Sequence, residues 1–182
     1  MLILNIEERE LFDEKTRTFS DIPTMKLELE HSLVSLSKWE EIWEIPFLNN
    51  VEKTNEQVRS YVECMLLTED VPKEVLFALT AEHYNAINEY ISAKRTATTF
   101  SNQTTPSRSS GEFVTAELIY YWLVALQIPF QPTETWHLNK LLTLVKIVNL
   151  KNTPPKKMSR SEIASRQRQL NAARRAKYGT SG

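Results

Sequence analysis

Three histidines, one cysteine and a Glu-Glu step between tryptophans are the residues of this chain whose types could do chemistry. A metal site needs ligands closely spaced on one element or converging from several. His31, His83 and His137 have no i, i+4 histidine partner and no cysteine beside them. Their spacing asks for no metal, and structural or surface roles account for all three. His137 is the one of most interest, because it follows Trp136 at the opening of an apolar helical stretch. Cys64 stands alone, which excludes an intramolecular disulfide framework and a cysteine metal cluster. Its setting, Tyr61-Val62-Glu63-Cys64-Met65-Leu66-Leu67, suits a small apolar core residue rather than a reactive thiolate. Glu40 and Glu41, beside Trp39 and Trp43, could pair as acid and base. Glutamates on the wet face of a helix account for them more simply. No Gly-rich phosphate loop, nucleophile elbow or metalloprotease helix motif occurs. The sequence predicts no catalytic residue, no metal and no cofactor.

Charge has more to say. The chain carries a formal net charge of −1 over 182 residues. Residues 151–182 hold nine Lys and Arg against Glu162 alone, a net +8, which leaves −9 for the rest. An acidic body with a basic tail implies a tail that folds back or reaches for an acidic partner. Arg166, Arg168, Arg174, Arg175 and Lys177, with Leu170 among them, form the candidate partner-binding set. Phosphate contacts are within the chemistry of these arginines. Only Tyr178 could stack a base, however, and the acidic body would repel a duplex, so a protein partner is favoured over nucleic acid.

The elements that would carry these residues are mainly helical. Only three glycines occur, two of them in the last four residues, which argues against a turn-rich β-sandwich. Residues 1–30 read as a β-hairpin region. Leu2–Ile6 and Met25–Glu30 are short strands, the second alternating apolar and charged, with a hairpin over Leu11–Phe19 between them. One small antiparallel sheet is expected, packed on the helices. Residues 31–95 and 113–150 form a helical, bundle-like core. Leu33, Leu36, Trp39, Ile42 and Trp43 recur at helical spacing until Pro46. Thr54 with Gln57 is a capping box, Pro72 opens a short helix, and Thr80 caps the next. Residues 96–112 are rich in Thr and Ser and predict a mobile loop. Leu118–Leu126 is apolar around its whole circumference, as for a central buried helix. The aromatic residues, mostly embedded in apolar runs, read as core. Leu138–Leu150 makes another amphipathic helix, and Pro154-Pro155 closes a compact body of residues 1–152. Ser159 and Glu162 are a second capping box, opening a basic helical tail within residues 153–182. The fold class expected is mainly α (α+β). No signal peptide is evident at the N-terminus, and no apolar run approaches the ~20 residues that span a bilayer. A reducing cytoplasm and no membrane contact are expected.

Several segments, in order, carry a family resemblance: His31-Ser32-Leu33-Val34-Ser35-Leu36-Ser37-Lys38-Trp39-Glu40, Trp136-His137-Leu138-Asn139-Lys140-Leu141-Leu142-Thr143-Leu144, Pro154-Pro155-Lys156-Lys157-Met158-Ser159, Leu170-Asn171-Ala172-Ala173-Arg174-Arg175 and Gly179-Thr180-Ser181-Gly182. Together they resemble a family of small proteins encoded by tailed phages and prophages. The resemblance implies a tail assembly chaperone in the host cytoplasm. Such proteins bind the long, apolar tape-measure protein and help tail-tube subunits polymerise around it, and they are absent from the finished virion. The alternative is a virion structural component, a baseplate or connector subunit, docking through its C-terminal helix. The resemblance brings no catalytic residues, and a homo-oligomer is compatible with it.

Overall fold

Period-2 patterning at the N-terminus gives strands whose apolar faces close one side of the core. The computed structural model describes residues 1–13, 17–100, 113–152 and 160–179, apart from the side chains of Asp13, Thr18 and Glu162. Leu2–Ile6 (β1) pairs antiparallel with Met25–Leu29 (β4), and Arg9–Asp13 (β2) with Thr18–Ile22 (β3). The expected single sheet is therefore two sheets of two strands. Both keep one register: Ile6 opposes Met25 and, three residues along each strand, Arg9 opposes Ile22. The interruption falls at Glu7-Glu8 and Pro23-Thr24, where proline has no N–H to give to a ladder. Inward parity changes there. Leu27 and Leu29 point inward on one side of the break and Ile22 on the other, where unbroken alternation would have buried Asp21. Glu14, Lys15 and Thr16 of the expected hairpin turn lie outside the described residues.

The helices begin at local caps. Leu33–Trp43 (α1) starts at Ser32, whose hydroxyl accepts from Ser35 N–H while the Ser35 hydroxyl accepts from Ser32 N–H. Asn55–Met65 (α2) has the Thr54–Gln57 box expected of it. Lys73–Phe77 (α3) follows Pro72 at the N-cap, one position earlier than expected. Ala81–Ser92 (α4) is capped by Thr80, with His83 Nδ1 accepting from Thr80 N–H. Ala116–Ala125 (α5) is capped by Thr115. Phe130–Thr133 (α6) is a short turn between Pro129 and Leu138–Asn152 (α7), and Arg160–Tyr178 (α8) ends at Gly179. Residues 93–100 form no regular element. The mobile loop expected over 96–112 lies largely, and Ser159 of the last capping box wholly, outside the described residues. No helix among the described residues is long and apolar enough to cross a membrane.

The fold is mainly α with a small antiparallel β component. Its interior is two apolar clusters on either side of α1. One gathers Ile6, Ile22, Leu27 and Leu29 of the strands with Trp39, Val62, Met65, Val75 and Ile87. The other joins Leu33 and Leu36 to Ile119 and Leu123 of α5 and Leu138, Leu141 and Val145 of α7. The central helix is thus α1, and the expectation for α5 is corrected. It buries Ala116, Ile119 and Leu123 but leaves Tyr121 and Val124 more than 60% exposed. An all-apolar helix needs cover on every side to be buried, and the described elements supply it on one. The aromatic core is likewise narrower than expected. Trp39, Tyr61 and Tyr90 are buried, whereas Phe12, Phe19, Phe77, Phe113 and Phe130 are exposed, and so is Ile42. The chain divides into two compact units, Met1–Asn149 and Leu150–Gly182, with the boundary inside the last turn of α7.

Candidate partner-binding surfaces

The six residues singled out in the basic tail all lie on α8 and are exposed. Helical geometry sorts them. Arg166, Leu170 and Arg174 follow one another at i, i+4, i+8, with Ile163 seven before Leu170 and Lys177 seven after. They form one stripe in which two aliphatic side chains, each about half exposed, are framed by basic groups. Arg168 and Arg175 point about 140–160° away round the axis, so they belong to another face. Arg168 Nε–H donates back to the Ala164 carbonyl at 3.3 Å, and Lys177 sits over the Tyr178 ring. Gly179 ends the helix at φ +62°, its N–H donating to the Arg175 carbonyl. That left-handed turn is why a glycine stands there.

A second surface was not singled out by sequence. The outward side of α5 presents Glu117, Tyr121 and Val124 at i, i+4, i+7, flanked by half-buried Leu118 and exposed Ala125. Beyond its C-terminal end an open notch of about 340 Å³ lies among Leu123, Val124, Ile128 and Phe130. At its N-terminal end a cleft of about 460 Å³ brings Glu117 together with Glu41 and Glu44. The sequence signal was there in the apolar circumference of the segment, which cannot itself say which side stays open.

The groups with chemical potential are committed to the fold. His31 and His137 stack edge to face with centroids 5.2 Å apart, and both are buried. His137 Nδ1 accepts from Asn139 N–H at 3.2 Å, so Nε2 carries the proton and donates to the Tyr90 carbonyl at 2.9 Å. His31 Nδ1 bonds the Tyr61 hydroxyl, and its carbonyl accepts from Leu138 N–H. Burial lowers the His31 pKa to about 4, with neighbouring His137 adding to the shift and Glu30 opposing it. Burial also lowers His137, against the opposing hydrogen bond it donates to the Tyr90 carbonyl and the charge of Glu30. Both rings are neutral at pH 7, a pairing that spacing along the chain did not reveal.

Glu40 corrects the wet-face expectation. It is buried, and its two oxygens accept from Phe47 N–H at 2.8 Å and Ala116 N–H at 2.6 Å. It thereby ties α1 to the first residue of α5, where the helix dipole favours an anion. Glu41, beside it, is exposed as expected. Burial pushes the Cys64 thiol up to about 11, with Glu63 adding to the shift, so it stays protonated. Among the described residues no group of three or more His, Cys, Asp or Glu could hold a metal ion. Compared with family models, curated proteins and solved structures, the chain has no match.

Proposed function

We propose that this chain is a tail assembly chaperone of a tailed phage or prophage, holding the tape-measure or tail-tube protein during virion morphogenesis without catalysis. The observation that carries this reading is α8, a 19-residue helix exposing Ile163 and Leu170 in a frame of basic side chains. Recognition of a helix by an apolar stripe with charged flanks needs that arrangement. The open face of α5 adds apolar surface of the kind a holder of helical clients requires. The segments that resemble the phage family are what point to a tape-measure or tail-tube client, which the surfaces alone do not.

Co-expression of the full chain with the tape-measure and tail-tube proteins tests it. A soluble complex that survives moderate salt is the expected result, because apolar contacts outlast screening of the exposed charges. The chaperone should be present in infected cells and missing from purified particles. Stoichiometric recovery in particles, with no complex in the pull-down, would replace this reading with a structural subunit docking through α8.

A further inference from the structure

The open face of α5 and the stripe of α8 are complementary in both polarity and charge. We propose that α8 of one copy seats on the α5 face of a second copy, so that copies associate head to tail. Each then covers the apolar surface of its neighbour until a client displaces it. The displacement rests on the proposed function, while the contact itself does not.

Charge argues for a second copy as the occupant. The unit bearing α8 carries +8 and the rest of the chain −9, yet the whole carries only −1. Nearly neutral copies do not repel one another, and their oppositely charged units attract. At the seat, Glu117 begins the α5 stripe, and Glu41 and Glu44 stand in the same cleft. On α8, Arg174 and Lys177 flank Leu170 on one side of the helix. Beyond the charges, Tyr121 and Val124 would meet Ile163 and Leu170, removing four exposed apolar side chains from water. The two patches differ, so the contact is heterologous and propagates into a ring or an open chain.

Sedimentation velocity of the full chain at low salt should show species growing with concentration above the 21.1 kDa monomer. Moderate salt should weaken the association by about tenfold. Two full-length variants sharpen the test. Arg174→Glu with Lys177→Glu reverses the helix, and Glu41→Lys with Glu117→Lys reverses the seat. All four positions are exposed, so circular dichroism should be unchanged. Each variant alone should lose association by about tenfold or more, and mixing the two should restore it, because each supplies the end the other lacks. A wild type that stays monomeric would overturn the proposal. So would either variant associating like the wild type, or a mixture that remains monomeric. Association that a client fails to reverse leaves the contact standing and removes the chaperone reading. Client binding by a strictly monomeric chain does the opposite.

Discussion

The polar seam inside the body and the basic stripe on α8 put ionisable side chains to opposite ends. In the seam, His31, His137, Tyr61, Tyr90 and Glu40 are buried, and each makes a hydrogen bond within the chain. On α8, every described side chain is exposed, and its apolar residues are too few to make a core. Burial turns a polar group into a fastener, since leaving its partner unmatched is costly. Exposure leaves the α8 stripe in contact with water, where a partner can reach it. The contrast predicts that substitutions in the seam act on stability, and that substitutions on α8 act on association.

Glu40→Ala should give the largest stability loss. It strips the acceptor from the half-buried Phe47 N–H and the buried Ala116 N–H together, and an unmatched buried donor costs roughly 1–3 kcal/mol. A total of about 3 kcal/mol should appear as an earlier midpoint in urea unfolding. A change below about 1 kcal/mol would mean that Glu40 is replaceable by water and that the contrast is overstated.

Acid should come next. His31 is held at about 4 when folded, below the ordinary 6.5, so the unfolded chain binds the extra proton between those values. Stability is therefore full above pH 6.5 and is lost as pH falls towards 4, where the loss levels off. His137, lowered in the same direction, adds to it. From pH 7 to pH 4.5 the His31 share is on the order of 2–3 kcal/mol. Glu30, Tyr61, Tyr90 and Arg95 also face this pair, so the share is best isolated against His31→Gln, whose unfolding should depend less on pH over that window.

Local signals were legible in the sequence, and contacts across the fold were not. Thr54 with Gln57 and Thr80 each announce a helix start within three residues. The alternation of Met25–Leu29 likewise writes its own burial pattern. Nothing near Glu40 marks it as buried, because its second partner, Ala116, lies 76 positions away. His31 and His137 meet only because Leu138 N–H bonds the His31 carbonyl and brings α7 to the start of α1. The set on α8 was legible as a cluster of charge, and its division into two faces follows once the helix is continuous from Arg160 to Tyr178.

Thr54→Ala tests a legible feature and should cost about 1 kcal/mol, the usual value of a lost N-cap. Thermal unfolding of the two proteins side by side measures it. No loss would show that α2 is held by Tyr61, Val62 and Met65 alone.

Leu170→Ser should be the mildest for the fold and yet felt by a partner. Leu170 is about half exposed and has no place in either apolar cluster, so unfolding should shift by less than about 0.5 kcal/mol. At the centre of the α8 stripe it is the aliphatic group with basic residues on both sides, the position where a contact is best shielded from water. Its truncation should weaken binding to a client or a second copy by about tenfold, equivalent to about 1.4 kcal/mol. Arg168→Ser, on the other face of the same helix, should change binding far less, and the ratio of the two effects reads out which face is in contact. A loss at Arg168 with none at Leu170 would mean that α8 attracts its partner by net charge alone, and the stripe would then have no recognition role.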